Sequence, residues 1–142
     1  MANFTQIGKD LFIGPQPAEQ DLKEARQHGI HTVIDMRLPG ETTVSNADLA
    51  RNNGLDYVSV PVDKMALTEQ QVNELEAAMR RTEGPYLLHC ATGARAALLL
   101  ALSRARQNGW TAERTFEEAQ AMGFDLRNMP AFASFVTQVI AK

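Results

Sequence analysis

The sequence predicts a single α/β domain with a mainly parallel sheet flanked by helices. Short apolar, β-prone runs alternate along the chain with longer segments of helical pattern, as in domains whose parallel strands are joined by helices. The length of 142 residues is typical of one domain. No internal repeat or Pro/Gly/Ser-rich linker divides the chain. We therefore treat residues 1–142 as one unit, with helices on both faces of its sheet.

Five short runs of apolar and β-branched residues predict the strands. In chain order they are Phe4–Ile7, Leu11–Ile13, His31–Met36, Asp56–Val62 and Tyr86–His89. A turn at residues 8–10 predicts that the first two strands form a pair. Val33 and Ile34 suit a strand that is buried on both faces of a parallel sheet.

Six longer segments predict the helices. They are Pro17–His28, Ser45–Asn53, the segment from Thr68 to the break at Gly84-Pro85, Ala96–Arg106, Thr111–Met122 and Pro130–Ala141. Thr68 and Gln71 have the spacing of a capping box, in which two side chains satisfy free amides of the first turn. The helix from Ala96 is apolar nearly all round in its first two turns, which predicts burial at the centre of the domain.

Charge and composition exclude several classes of protein. The formal net charge is −3 and no segment carries a basic run, so neither a nucleic-acid-binding nor a membrane-surface protein is expected. The longest apolar run, Ala96–Leu102, is too short to span a bilayer. The N-terminus shows no basic region followed by an apolar stretch, which predicts a cytoplasmic location, with a leader already removed as the alternative.

Cysteine usage is limited to one residue, Cys90. The chain therefore forms no intrachain disulfide and has no cysteine-based zinc site. His28 and His31 are not paired with carboxylates at metal-binding spacing. We expect no metal and no cofactor, and any role of Cys90 is that of a single cysteine without a second thiol.

The segment that carries chemistry runs from the end of a buried strand, through a tight loop, into a helix. Amide N–H groups of such a loop and of the first helical turn converge on one point, where an oxyanion binds. The same field stabilises a thiolate at Cys90. Arg95 offers a planar fork for two oxygens of a phosphate or sulfate-like group. The candidate binding residues are His89, Ala91, Thr92, Gly93, Ala94, Arg95 and Ala96.

These residues also have plain structural interpretations. A lone cysteine at the end of a buried strand is usually a small core side chain. His89 either packs at the strand end or orients the loop. An arginine in the first turn of a helix opposes the helix dipole, which favours an anion nearby. Gly93 permits a backbone conformation closed to other residues. The combination of cysteine, glycine and arginine at this spacing favours a catalytic Cys90.

The loop His89-Cys90-Ala-Thr-Gly-Ala-Arg95 resembles the phosphate-binding loop of the cysteine-dependent tyrosine and dual-specificity phosphatases. The wider chain, over about residues 4–122, resembles the phosphatase-like domain of the bacterial beta-lactamase hydrolase-like proteins. The matching segments are Leu11–Pro17, Thr32–Glu41, Tyr57–Asp63 and the cysteine loop. This resemblance implies a tyrosine/dual-specificity phosphatase-like fold and hydrolysis of phosphate monoesters or phosphoproteins through a phosphocysteine at Cys90.

Two departures from the phosphatase pattern favour other functions. Four residues separate Cys90 from Arg95 where the phosphatase signature has five, and Ala96 stands where those enzymes usually have a hydroxyl residue. The four-residue spacing and Ile34–Arg37 resemble rhodanese-type sulfurtransferases, which would use a persulfide at Cys90. A degenerate domain that only binds phosphate or sulfate is a third interpretation. His89 and the segment Tyr57–Asp63 favour the phosphatase.

A phosphatase of this class also needs a general acid on a separate loop. Asp63 is the best candidate, because it follows a predicted strand at the sheet edge where open α/β domains gather their sites. Asp63 is alternatively a plain loop residue. Asp35 is the second candidate, although an ion pair with Arg37 is its simpler role. Asp125 lies in a loop and has no motif behind it.

Overall fold

The computed structural model describes residues 3–41 and 45–141. Its centre is one five-stranded sheet in the order β1-β2-β5-β3-β4. The strands are β1 (Thr5–Gln6), β2 (Leu11–Gly14), β3 (Thr32–Asp35), β4 (Asp56–Ser59) and β5 (Tyr86–His89). Strand β1 pairs antiparallel with β2 at the edge, and the remaining neighbours are parallel. The predicted α/β fold with a mainly parallel sheet is confirmed.

The register brings the carboxyl ends of three strands together. His89, the last residue of β5, lies opposite Gly14 of β2 and Asp35 of β3. Strand β5 is the middle strand of the sheet, so the residue that follows it leaves the sheet at its centre. Open α/β sheets place their sites at this edge. Cys90 is that residue.

Helices cover both faces of the sheet, as predicted. They are α1 (Glu19–Gln27), α2 (Asn46–Asn52), α3 (Glu69–Arg81), α4 (Ala94–Asn108), α5 (Ala112–Ala121) and α6 (Pro130–Ile140), with short 3-10 turns at Pro39–Glu41 and Leu126–Asn128. The capping box of Thr68 and Gln71 is present at the start of α3. The Ser45 hydroxyl accepts a hydrogen bond from the Asp48 amide and caps α2.

Two apolar clusters hold the layers together. Side chains of α1 and α2 pack with Val33 and Leu87 on one face of the sheet. The other face carries α3 to α6, and α4 is buried there over all of residues 96–102. This burial agrees with the apolar pattern of the predicted central helix. Within the described residues, no helix combines the length and apolarity needed to cross a lipid bilayer.

Several elements begin or end one to three residues away from the predicted bounds, and two of these differences lie near Cys90. The strand predicted at Asp56–Val62 ends as β4 at Ser59, yet the amides of Val60 and Val62 still donate to carbonyls at the end of β3, over 2.9 and 3.0 Å. Helix α4 begins at Ala94 rather than at Ala96, because Gly93 takes the N-cap position in a left-handed conformation. The earlier start brings the first helical turn directly against the loop after Cys90.

Candidate active site

Cys90 lies where the central strand meets the start of α4, and its side chain is fully buried. Its amide donates to the Gly14 carbonyl over 3.4 Å, which ties the loop to β2. The Gly93 amide donates to the Cys90 Sγ over 3.0 Å. The sulfur therefore has a backbone donor beside it and lies at the positive end of a 15-residue helix.

The loop requires glycine at position 93. Gly93 has a φ of 104°, a conformation that side chains rarely allow. A Cβ there would lie 2.7 Å from Cζ of Phe124 and 3.2 Å from the carbonyl carbon of Gly14. Both the backbone conformation and the space therefore exclude a larger residue, as the sequence predicted.

Amides of the first turn of α4 supply the donors of the loop. The first hydrogen bond within α4 runs from the Ala97 amide to the Gly93 carbonyl. The amides of the residues before Ala97 have no acceptor inside the helix, as in the first turn of any α-helix. The Gly93 amide donates to the Cys90 sulfur. The Ala94 amide donates to the Thr92 hydroxyl over 3.3 Å, so this hydroxyl supports the turn. The amides of Arg95 and Ala96 lie in that first turn, and helix N-termini in general suit anions.

Arg95 is held in place by a partner that the sequence analysis did not identify. Its Nη1 and Nη2 donate to the two carboxylate oxygens of Glu41 over 2.7 and 2.6 Å. Nη1 also donates to the Val62 carbonyl over 3.0 Å. The hydrogen bond from Arg95 lowers the pKa of Glu41 to about 2 and, in return, raises the pKa of Arg95.

This pairing changes how Arg95 can bind an anion. A guanidinium has five N–H groups, and the three bonds to Glu41 and Val62 use three of them. Among the described residues, Nε–H and one Nη2–H are left without an oxygen acceptor, and they lie on the same edge of the planar group. Binding of two anion oxygens by the Arg95 fork stays a prediction. The two N–H groups on the side edge of Arg95, Nε–H and one Nη2–H, face no oxygen acceptor among the described residues, whereas the end of the guanidinium is bonded to Glu41.

A second ion pair lies behind the loop. Arg37 Nε and Nη2 donate to the two oxygens of Asp35 over 3.0 and 2.9 Å, and the Tyr57 hydroxyl donates to Asp35 over 2.7 Å. Burial raises the pKa of Asp35, but the hydrogen bonds from Arg37 and Tyr57 and the nearby His89 together outweigh burial, and the net shift is downward. Burial and the bond to Asp35 raise the pKa of Tyr57. The predicted Asp35–Arg37 ion pair is confirmed, and it leaves Asp35 ionised and enclosed.

His89 supports the loop from beneath. Its ring is fully buried. Nε2 lies 3.2 Å from the side-chain Nδ2 of Asn46, and Nδ1 lies 3.4 Å from the Cys90 carbonyl oxygen and 3.8 Å from Asp35 Oδ1. These neighbours assign the proton to Nδ1, which donates to the Cys90 carbonyl. Burial lowers the pKa of His89 to about 4. Both ring nitrogens contact the protein, which fits the loop-orienting role of His89, and its place among the anion-binding residues stays a prediction.

Beside the loop opens a cleft of about 340 Å³. Its lining consists of Ala91, Thr92, Ala94 and Arg95 from the cysteine loop and the first turn of α4, together with residues 64–65 and 129–132. Asp63 is adjacent to this cleft, at the start of a turn in which its Oδ1 accepts the Met65 amide over 2.9 Å. Asp63 is half-buried and does not itself line the cleft. Its role as the general acid stays a prediction.

The sheet topology defines the fold class: a single α/β domain with a protein tyrosine phosphatase-like fold. Within that class, a family model for the phosphatase-like domain of beta-lactamase hydrolase-like proteins matches residues 3–107. The chain belongs to this family. The resemblance that the sequence motifs indicated is thereby confirmed.

Individual relatives agree with this assignment. A beta-lactamase hydrolase-like protein of Xylella fastidiosa is 31% identical over 128 residues, which span 87% of this chain but only 30% of the relative. A crystal structure of a candidate phosphatase from Neisseria meningitidis matches 98% of this chain and 99% of its own length, with a TM-score of 0.81 and 26% identity. Pseudomonas aeruginosa TpbA, a C-to-S variant in complex with phosphotyrosine, shares the fold at a TM-score of 0.72 and 19% identity, covering 99% of this chain and 91% of TpbA.

Proposed function

We propose that this domain is a cysteine-dependent phosphatase that hydrolyses phosphate monoesters. The observation that carries the proposal is the convergence on one point of the Cys90 sulfur, the N-terminus of α4 and the guanidinium of Arg95. Burial keeps the sulfur out of bulk water, while the Gly93 amide and Arg95 stabilise its negative charge. The complex of TpbA with phosphotyrosine supports phosphotyrosine as a first substrate to assay.

The mechanism follows from these positions. The Cys90 thiolate attacks phosphorus, a sulfur–phosphorus bond forms, and the ester oxygen leaves with its electron pair. Asp63 gives that oxygen a proton. Water then attacks the phosphocysteine, Asp63 takes a proton from the water, and inorganic phosphate leaves as the Cys90 thiolate is restored. Loop amides and the side edge of Arg95 hold the phosphoryl oxygens throughout.

The role of Asp63 is tested with Asp63→Asn. General acid–base catalysis typically contributes about 10²–10⁴-fold, so we expect a loss in that range on phenyl phosphate, whose leaving oxygen is basic. The loss on p-nitrophenyl phosphate should be much smaller, because p-nitrophenol leaves as a stable anion. Equal losses of kcat on both esters would show that Asp63 only shapes the turn to Met65, and Asp35 would then be the next acid to test.

Sulfur transfer is a second candidate, favoured by the pairing of Arg95 with Glu41. A carboxylate 2.6 Å from the guanidinium offsets its charge, which disfavours a dianionic phosphoryl group more than a persulfide. In this reaction the Cys90 thiolate attacks the sulfane sulfur of thiosulfate, sulfite leaves with the electron pair, and cyanide then removes the sulfur as thiocyanate. No proton is required, so Asp63→Asn should leave this activity nearly unchanged.

One experiment separates the candidates. The protein and its Cys90→Ser variant are assayed in parallel on phenyl phosphate and on thiosulfate with cyanide. Turnover of the ester that disappears in Cys90→Ser supports the phosphatase, and formation of thiocyanate instead supports the sulfurtransferase. Turnover of neither, with phosphate still protecting Cys90 from alkylation, identifies a domain that only binds the anion.

A further inference from the structure

Asn46 is a polar side chain that the fold buries at the start of α2, where it is only 4% exposed. Within the part of the chain that the structure describes, its side-chain oxygen Oδ1 has no hydrogen-bond partner. A buried oxygen without a partner costs free energy, and a leucine of similar size would avoid that cost. The other end of the amide, Nδ2, therefore has a role that requires a polar residue.

That role lies at the ring of His89, because Nδ2 of Asn46 is 3.2 Å from His89 Nε2. On the other side of the ring, Nδ1 faces the Cys90 carbonyl oxygen over 3.4 Å and Asp35 Oδ1 over 3.8 Å. Both of these oxygens only accept hydrogen bonds, so the proton of the neutral ring belongs on Nδ1. Nε2 is then an acceptor, and Asn46 must present its N–H to it rather than its oxygen.

The bond from His89 Nδ1 continues this order into the cysteine loop. The Cys90 carbonyl belongs to the trans peptide group that joins Cys90 to Ala91. The C=O and N–H of a trans peptide point in opposite directions, so the bond to His89 turns the Ala91 amide away from the histidine. With the proton on Nε2 instead, a ring lone pair would face the carbonyl oxygen and this constraint would be lost.

We propose that Asn46 is a positioning residue of the cysteine loop: its amide holds the His89 proton on Nδ1, and His89 thereby holds the peptide group between Cys90 and Ala91. The proposal rests on the proposed function in taking this loop as the anion site, and it applies equally to phosphoryl and sulfur transfer. Asn46 contacts neither the sulfur nor the cleft and acts through His89. The charged groups that act on the ring, Asp35 and Arg37, come from the end of β3, whereas α2 contributes the uncharged Asn46.

The proton on His89 is observed directly by ¹⁵N NMR of the histidine rings. The chain has three histidines, and the signals missing in His89→Gln identify those of His89. At neutral pH we expect Nδ1 of His89 to be protonated and Nε2 to be free of a proton. Asn46→Asp keeps the size of the side chain but places an acceptor at Nε2, so the ring should take a second proton. The pKa of His89 should then rise from about 4 to above its ordinary value of 6.5.

The response of the loop is measured without turnover, through protection of Cys90 from iodoacetamide by inorganic phosphate. Cys90 is the single cysteine, so alkylation followed by mass spectrometry reports on this loop alone. Asn46→Leu removes the donor to Nε2 and should require about fivefold more phosphate for the same protection, the effect of one net hydrogen bond. Asn46→Asp retains Nδ1–H and should keep the protection of the unaltered protein.

Asn53→Leu is the matched control at the other end of the same helix. It removes the bond from Asn53 Nδ2 to the Leu49 carbonyl, which does not involve His89, and should leave protection unchanged. A proton on Nε2 in the unaltered protein, a His89 pKa in Asn46→Asp that stays near 4, or equal losses in Asn46→Leu and Asn53→Leu would each overturn the role of Asn46. Should Asn46→Leu fail to fold, the NMR result for Asn46→Asp decides.

These outcomes are separate from those of the catalytic proposal. The expected NMR and protection results in a protein that hydrolyses no phosphate ester would overturn the phosphatase and leave the role of Asn46 standing. Hydrolysis of esters in a protein whose His89 proton and phosphate protection do not respond to the Asn46 variants would do the reverse.

Discussion

Two arginine–carboxylate pairs lie near the cysteine loop, and they differ in what surrounds them. Arg37 and Asp35 are two residues apart in the chain, with side chains only 2% and 5% exposed. Arg95 and Glu41 are 54 residues apart and 9% and 27% exposed, at the edge of the cleft. Both pairs are bidentate. The enclosed pair is part of the fold, whereas the pair at the cleft can exchange contacts with a ligand.

The difference in burial gives the two arginine–carboxylate pairs different roles. A buried pair whose charges are mutually satisfied specifies the geometry at the end of β3, and losing one partner leaves a charge in a low-dielectric interior. At the cleft, the carboxylate bonds one edge of the guanidinium, and the other edge has no oxygen acceptor among the described residues. Stability should therefore respond to the first pair, and anion binding to the second.

Removing the carboxylate of the enclosed pair should have the largest effect. Asp35→Asn leaves the Arg37 charge buried without its counter-ion, which typically costs 3–5 kcal/mol. For a domain of this size we expect the melting temperature to fall by roughly 10 °C. Chemical denaturation measures the loss, with Glu41→Gln as the matched control, expected to lose less than about 1 kcal/mol. Equal losses in the two variants would contradict the distinction between the pairs.

Replacing the arginine at the cleft should affect function rather than folding. In Arg95→Lys the ammonium can still pair with Glu41 but cannot present two donors to a phosphoryl group. Loss of such a donor typically lowers kcat by about 10²–10³-fold. The matched variant Arg37→Lys should lower stability while phosphate still protects Cys90 from alkylation. If Arg95→Lys unfolds the protein and Arg37→Lys abolishes protection, the roles are reversed.

As the pH falls, protonation of His89 should be the first event that lowers the free energy of unfolding. The pKa of His89 is lowered by burial to about 4, below its ordinary value of 6.5. Between these values the unfolded chain binds a proton that the folded chain does not, so stability falls as the pH falls from 6.5 to 4. The slope is up to about 1.4 kcal/mol per pH unit, or about 3 kcal/mol in all.

Unfolding measured across this pH range checks the prediction, with His89→Gln as the variant that removes the titrating group. The slope above pH 4.5 should be largely lost in that variant. The pKa of Glu41 is about 2, so its pair with Arg95 should weaken only as the pH falls below 4.5. A slope that is unchanged in His89→Gln would assign the acid sensitivity to other groups.

Neutralising the carboxylate at the cleft should have the smallest effect, and in the opposite direction. Glu41→Gln removes a negative charge beside the phosphoryl site, while Val62 and the amide oxygen still hold Arg95. At a separation of a few ångströms near solvent, this change should tighten phosphate binding roughly threefold. Protection of Cys90 from alkylation measures it. Weaker binding in Glu41→Gln would show that the clamp matters more than the charge.

Sequence patterns predicted much of this molecule because those patterns are local. Strand β5 and the turn at Gly93 follow from a short apolar run and a glycine between strand and helix. The Asp35–Arg37 pair was predictable since its members lie two residues apart. Boundaries shifted by one to three residues where packing extended or trimmed an element, as at Ser59 and Ala94.

The roles of His89 and Arg95 could not be read from the loop that contains them. Each depends on a side chain from a distant segment: Asn46 faces the His89 ring, and Glu41 takes the end of the Arg95 guanidinium. Glu41 was part of a recognised motif, but nothing in its neighbourhood along the chain indicates an arginine 54 residues away. No local pattern indicates that residues 129–132, at the start of α6, line the cleft.

By itself, then, the sequence determined the order of strands and helices and the loop that presents Cys90, because hydrophobic periodicity, capping residues and glycine act over a few residues. The tertiary structure decided which edge of Arg95 remains for a ligand, which way His89 points and what lines the cleft. Those features arise where segments far apart in the chain pack together, and packing depends on the three-dimensional fit of whole elements rather than on neighbouring residues.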